Sequence, residues 1–159
     1  MARHRYRAQA MVEFSLVIVL LLVLILGIIE VARVLFIYSS IITSSREAVR
    51  YGSVTGHNDA GTLFYQDCAG IRSAAKKTSF LQNIQDSNIT IEYDTGPGTA
   101  VYDTCTSDLD ASVSLATDSR ILVTVTAAYK PIIPLVPITG RTIVFSSART
   151  IIGTVKFEP

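Results

Sequence analysis

From Phe14 to Ile29 the chain carries no charged residue, and only Ser15 and Gly27 interrupt the aliphatic side chains. Extending the run back to Ala10 takes in a single acid, Glu13. A helix that crosses hydrocarbon needs about 20 mainly apolar residues, so residues 10–29 predict a spanning segment with Glu13 near one interface. A core helix of a water-soluble protein would carry a polar stripe, and this run is apolar all round. A cleaved secretory signal would have a shorter apolar region followed by small residues. Glu30, Val31, Ala32 and Arg33 stand there instead, so the segment is expected to be retained.

The helical pattern continues past the apolar run. Val31, Val34, Leu35, Tyr38, Ile41, Ile42, Ser45, Ala48 and Val49 recur at three- and four-residue spacing, which predicts one buried face. Gly52, with Gly56 behind it, is the first good stop. Residues 11–51 would form a rod of roughly 60 Å, about twice the hydrocarbon thickness. Arg46, Glu47 and Arg50 mark the wetter side of its outer half.

Residues 52–61 read as a loop, and a second helix is predicted near 62–81. Phe64, Cys68, Ile71, Ala75 and Thr78 mark its buried face, with Arg72, Lys76 and Lys77 mostly turned out. The period then changes to two. Ile89, Ile91 and Tyr93 alternate with polar residues, and Ile121, Val123, Val125, Ala127 and Tyr129 form the strongest strand signal. Residues 95–110 read as a long loop, Val113 and Leu115 as a short strand, and Ile143 to Val155 as a last strand. The stretch from Pro131 to Pro137 reads as a packed apolar crossover loop. These elements predict an α+β fold: a long N-terminal transmembrane helix extends into an outer domain, where a second helix packs on a small antiparallel sheet. The expected divisions are a basic leader at 1–8, the extended helix at 9–52 and an extracytoplasmic domain at 53–159.

Composition sharpens this picture. The chain has 159 residues, 49% of them hydrophobic and 17% charged, which excludes a disordered chain. The net charge of +1 gives no footprint for nucleic acid, and none is expected as a partner. Arg3, Arg5 and Arg7 lie just before the apolar run, whereas Glu30 and Arg33 balance after it. That bias predicts an N-terminus in the cytoplasm and a C-terminal domain outside.

The outer compartment is oxidising, and two cysteines allow one pairing, so Cys68 and Cys105 are expected to form a disulfide. His4 lies across the predicted membrane from His57, Cys68 and Cys105, and no short metal-ligand spacing is present, so no metal is expected. His57 sits in a Gly-rich loop without a nucleophile motif, so no catalytic residue, cofactor or enzyme activity is expected. Asp103, Asp108 and Asp110 lack the Gly and the distal Glu of a calcium loop and read as a solvated cluster.

Glu13 is the residue that asks for a purpose, because an acid beside an apolar span is costly and usually paired. The string Arg7-Ala8-Gln9-Ala10-Met11-Val12-Glu13-Phe14 resembles the processing site of type IV prepilins. It is closer still to the TadE-like proteins of the bacterial Tad (Flp) pilus system. In that family a small residue, usually Gly, precedes the scissile bond, and Glu-Phe or Glu-Tyr follows at the fifth and sixth positions. The resemblance implies a cut between Ala8 and Gln9, with Glu13 and Phe14 as the recognition pair; Ala8 departs from the usual Gly. Gly27-Ile-Ile-Glu30-Val-Ala-Arg33 is similar to the family's Gly-x-x-Glu-Phe-Gly-Arg stretch.

What the resemblance implies is a non-enzymatic minor pseudopilin or pilus-assembly protein, in which Glu13 serves assembly. Its partners would be other pilin or pseudopilin subunits, a prepilin peptidase and the Tad assembly machinery in the membrane. Its place would be the cytoplasmic (inner) membrane, as a single pass, or the pilus itself. The competing expectation is a bitopic membrane-anchored protein with an extracytoplasmic ligand- or partner-binding domain that never enters a pilus.

Overall fold

The computed structural model describes residues 3–79, 83–106, 118–132 and 140–152. Helix α1 (Arg3–Gly52) is followed by a 3-10 turn at Phe64–Gln66, helix α2 (Cys68–Lys77) and a second 3-10 turn at Asp86–Asn88. Strands β1 (Ile89–Asp94), β2 (Asp103–Thr104), β3 (Arg120–Tyr129) and β4 (Arg141–Thr150) complete the described fold. This is the expected α+β arrangement of a long apolar N-terminal helix, a second helix and a small antiparallel sheet.

Helix α1 is continuous for 50 residues, about 75 Å at 1.5 Å per residue, and it extends the predicted rod back through the basic leader. It ends where predicted. At Gly52 the backbone runs so close to the sheet that a Cβ would lie 2.4 Å from Ile121 Cδ1.

The sheet order is β2-β1-β3-β4, and every neighbouring pair is antiparallel. The β3–β4 ladder is the longest, running from Arg120 opposite Thr150 to Tyr129 opposite Arg141. Alternation decides the faces: Ile89, Ile91 and Tyr93 of β1 and Ile121, Val123, Val125, Ala127 and Tyr129 of β3 are all buried, as their spacing predicted. Ile143 and Phe145 of β4 pack on the edge of the same core. The other face carries Thr90, Thr124, Thr126 and Ser146, which suits an antiparallel sheet covered on one side.

The face of α1 that meets this core is the predicted one at Ile41, Ser45, Ala48 and Val49, and differs from it nearer the apolar run. Ile37, Ile41, Ser44, Ser45, Ala48 and Val49 are buried, whereas Val31, Leu35 and Tyr38 are exposed. The reason is that the helix has apolar residues on two faces, and the head, formed by the described residues after Gly52, covers the one that also carries small residues. Ser44 donates to the Ala75 carbonyl of α2, and Ser45 to the Val123 carbonyl of β3 at 3.3 Å. Two short hydroxyl side chains thus allow close approach and satisfy their own polar groups against backbone.

The second helix is shorter than predicted within the described residues. Asp67 caps it, its carboxylate accepting from Gly70 N at 2.8 Å, so Phe64 falls in the preceding 3-10 turn. Cys68, Ile71 and Ala75 do form its buried face. Arg72 is half-buried rather than turned out, donating to the Cys105 carbonyl at 2.6 Å. The 95–110 segment is not all loop, since β2 pairs Glu92 with Thr104 and Tyr93 with Asp103. The predicted strand at Val113 and Leu115, the last residues of the predicted helix 62–81, residues 133–137 of the crossover loop and residues 153–155 of the last strand lie outside the described residues.

Cys68 and Cys105 are joined as expected, with Cα atoms 5.8 Å apart. The bridge ties the first turn of α2 to the residue just after β2, and Cys105 N also donates to the Ile91 carbonyl at 3.0 Å.

Candidate assembly and anchoring site

Residues 9–24 of α1 are exposed on every side, Glu13 and Phe14 among them. Among the described residues no hydrogen bond or ion pair reaches Glu13. The helix is long and apolar enough to cross a membrane once, and none of its most apolar stretch is buried against the head.

One line of exposed side chains runs the length of this helix. Phe14, Val17, Leu21, Leu24, Ile28, Val31, Leu35 and Tyr38 follow one another at alternating spacings of three and four residues. This is the heptad seam along which helices pack side by side, and its slow drift around the axis is what a left-handed supercoil absorbs. Leu35 is 62% exposed although it lies beyond a bilayer-length span.

The head grips the helix at a second place. Tyr129 Oη, at the end of β3, donates to Glu30 Oε1. Arg33 Nη1 lies 3.4 Å from the same oxygen, donates to the Lys130 carbonyl at 2.9 Å, and its guanidinium carbon sits 5.6 Å from the Tyr129 ring centroid. The bond to Glu30, and then burial, push the Tyr129 hydroxyl above the ordinary tyrosine range. Glu30 and Arg33 thus clasp the tip of a strand 97 residues away in sequence.

Residues 8–50 match the family model described as TadE-like protein. Over this stretch the helix is similar to TadE-like proteins. The match begins at Ala8, on the near side of the predicted cut, and stops before Gly52, so it covers the TadE-like helix and not the head. No curated protein and no solved structure matches the chain. Together, the family match and the length of the apolar helix support a Tad-associated membrane protein, consistent with single-pass anchoring.

Within the TadE-like helix the structure brings Gln9 and Glu13 one turn apart on one face, both exposed. Ala8 and Gln9 lie inside the continuous helix. The Glu30 and Arg33 of the family-like stretch turn out to be head-binding residues. The sequence signal for their partner was weak: Tyr129 was legible as a buried strand residue, but nothing local points it at Glu30.

The remaining polar groups do structural work. Asp67 accepts from Tyr51 Oη at 2.7 Å and Asn58 Nδ2 at 2.8 Å as well as from Gly70 N. Burial alone would raise its carboxyl, but these three hydrogen bonds outweigh it and hold Asp67 below the usual carboxylate range. Tyr51 is pushed up to about 12, first by burial and then by Asp67. A Cβ at Gly70 would lie 2.3 Å from Asp67 Oδ2 and 2.4 Å from Tyr51 Oη, so this network requires glycine there. Across the sheet Arg120 grips both carboxylate oxygens of Asp94 at 2.7 Å, and that bidentate bond holds Asp94 low.

His57 is exposed in its loop, bridged to Leu63 by backbone. Asp103 lies in β2 and accepts from Thr104 N, while Asp108 and Asp110 lie outside the described residues. No group of three metal-ligating side chains occurs among the described residues. An open groove of about 550 Å³ between α1 and α2 is lined by Glu47, Arg50, Tyr51, Phe64 and Lys77 among others, without a nucleophile and base in contact.

Proposed function

We propose that this chain is a minor pseudopilin or assembly protein of a Tad-type pilus, acting through helix packing rather than catalysis. The observation that carries the reading is the seam of the TadE-like helix, which stays open from Phe14 to Tyr38 while the head packs on a different face. Lipid can cover the part inside a bilayer, but Val31, Leu35 and Tyr38 lie beyond that span and call for protein. The partner is a parallel helix of another pilin-like subunit. The basic leader keeps the N-terminus in the cytoplasm, and the head lies outside.

In this reading a prepilin peptidase cuts between Ala8 and Gln9 at the cytoplasmic edge. The leader carries three arginines and no acid in the first helical turn, charges that oppose the helix dipole and favour opening of that turn for the peptidase. Cleavage frees an α-amine at Gln9, with a reference pKa of about 8, which is charged at neutral pH. In a bundle that amine pairs with Glu13 of a neighbouring subunit and fixes register more than it adds stability.

N-terminal sequencing of protein from its native host tests processing. A chain that begins at Gln9 supports the reading. A chain that begins at Met1 or Ala2 beside an active peptidase overturns it in favour of the bitopic anchored protein. Photocrosslinkers at Leu35 and at Thr43, an exposed residue off the seam, test the packing: subunit adducts should form from position 35 and not from position 43.

A further inference from the structure

Ile143 and Phe145 stand on the core face of β4, yet they are only half-buried, whereas the β3 residues opposite them, Ala127 and Val125, are covered. Strand β4 is the end of the sheet, and among the described residues no further element lies beyond it. Helix α2 occupies one flank of α1. Ser40 and Ser44 donate to the Thr78 and Ala75 carbonyls at its end, and the Cys68–Cys105 bridge ties its first turn beside β2. At 100° per residue, Leu35, Tyr38 and Ile42 point about 170° away from Ser40 and Ser44. Ser45, bonded to Val123 of β3, lies between the two directions. Since the sheet order is β2-β1-β3-β4, the flank of α1 opposite α2 is the one above β4.

The two surfaces also agree in height. Ser45 meets Val123, which pairs with Ser147, and Glu30 meets Tyr129, which pairs with Arg141. Between these levels the helix runs about 22 Å at roughly 1.5 Å per residue, and the strand about 20 Å at roughly 3.4 Å per residue. Ile143 therefore stands level with Leu35, and Phe145 level with the turn between Tyr38 and Ile42. Beyond a bilayer-length span the seam thus becomes one wall of a groove, and the core face of β4 is the other. Alternation puts Arg149 on that same face, and it and Arg46 are exposed at the upper end of the groove. Among the described residues no carboxylate bonds to either arginine.

We propose that the head shares in binding the partner: the outer half of a partner helix, parallel to α1, lies in this groove with its apolar stripe on Leu35, Tyr38, Ile42, Ile143 and Phe145. The inference rests on the seam taking a helix, and it adds that the edge of the sheet recognises that helix. Continuity with the seam selects a helix as the occupant, an apolar stripe laid into an apolar groove. The two arginines select one that carries a carboxylate just beyond the outer end of its stripe. Such a helix stands beside α1 over the sheet as α2 does on the other flank, and it completes the helical layer over β4.

Val144 supplies the control, because it is 54% exposed on the opposite face of the same strand. The full-length chain is expressed in its native host with p-benzoylphenylalanine in place of Leu35, Phe145 or Val144, and adducts are mapped by mass spectrometry. Positions 35 and 145 should capture the same partner helix, with the adduct from 145 further along it toward its C-terminus, and position 144 should capture none. Adding Arg46→Glu and Arg149→Glu should reduce the yield from position 145 at an unchanged protein level; an unchanged yield would overturn the carboxylate. Two milder variants, Ser147→Cys on the groove face and Ala148→Cys on the other, decide the matter where the bulky residue at 145 prevents folding. The native cysteines are bonded to each other, so a water-soluble maleimide reads the new thiol alone. Position 147 should react in detergent-dispersed monomer and be protected in membranes, while position 148 reacts equally in both. Adducts from position 35 with none from 145 in the folded chain, or position 147 as reactive in membranes as in detergent, would overturn the groove and leave the seam intact. Silence at position 35 as well would overturn the seam and this proposal together.

Discussion

Helix α1 presents two apolar faces, and truncating one residue on each separates folding from assembly. Ile41 is fully buried, whereas Leu35, less than two turns away, is 62% exposed. Ile41→Ala removes three carbon groups from the core, worth roughly 2.4 kcal/mol at about 0.8 kcal/mol each. A cavity that fails to collapse adds up to about 2 kcal/mol at about 24 cal/mol per Å³. The expected loss is therefore about 2.5–4 kcal/mol. Leu35→Ala removes side chain that is mostly in contact with solvent or lipid in the single chain, so it should cost the head under about 1 kcal/mol. Urea unfolding in detergent micelles, at a dilution that keeps the chain monomeric, reads both. With slopes of about 1–3 kcal/mol/M, Ile41→Ala should lower the midpoint by about 1 M or more and Leu35→Ala hardly at all. In membranes the order reverses, with subunit crosslinking lost in Leu35→Ala at normal protein level. Equal destabilisation by the two variants would refute the assignment of faces. Intact crosslinking in Leu35→Ala would refute the seam.

Replacing both Cys68 and Cys105 by Ala should destabilise the head by about 4 kcal/mol on the chain-entropy model, given their separation of 37 residues, as read by thermal unfolding with and without reductant. Gly70→Ala should cost about 1–2 kcal/mol, allowing for the partial exposure of Asp67, by driving apart the helix cap and the Tyr51 bond; ultraviolet titration should then find Tyr51 ionising below its native value of about 12. Tyr129→Phe keeps the ring over Arg33 and removes only the bond to Glu30, so amide exchange should quicken at the end of β3 while the far end, at Asp94 and Arg120, keeps its protection. Asp94 and Asp67 titrate below their unfolded values, so the stability they confer is full above about pH 4 and is lost as the pH falls through their depressed native values; Asp94→Asn should flatten that acid limb of the unfolding midpoint.

The parts of the fold that were legible in the sequence are those fixed by local periodicity. The alternation at Ile121, Val123 and Val125 specifies a half-buried strand because one residue of slippage would put the whole set in water. The uncharged run before Glu30 specifies a helix that is long and apolar enough to cross a membrane and that the rest of the chain leaves uncovered. The azimuth of the head on α1 was not legible for a physical reason. Hydropathy registers that Leu35 and Ile41 both avoid water, but not which is covered by its own chain and which by another molecule. Ser44 misleads further, because a small polar residue that suits close packing reads as part of a wet face, whereas the spacing alone places Ser45 on the buried one. Strand β2 has no signal in the sequence because two residues have no period, and it is held by Tyr93 and the neighbouring disulfide rather than by propensity. The start of α2 could have been found, since Asp67 directly before Cys68 is a helix-start signal. At the candidate site, Glu13 and Phe14 stand out by sequence alone, whereas the clasp joins residues 99 apart and has no local signature.

These faces have a consequence for how such a subunit would be used. At 100° per residue, the centre of the head-packing stripe, near Ile37, Ile41 and Ala48, and the centre of the seam, near Val17, Leu24 and Leu35, lie about 130° apart around the helix. The head can therefore be held rigidly without obstructing a partner helix. Two attachment levels, the serine contacts at Ser44 and Ser45 and the clasp at Glu30, remove both the rotation and the tilt that one contact would leave free. Any helix docked along the seam then inherits a fixed orientation of the head relative to itself. A single interface along the rod is enough to position the whole sheet, and no specific contact between heads is required to do so.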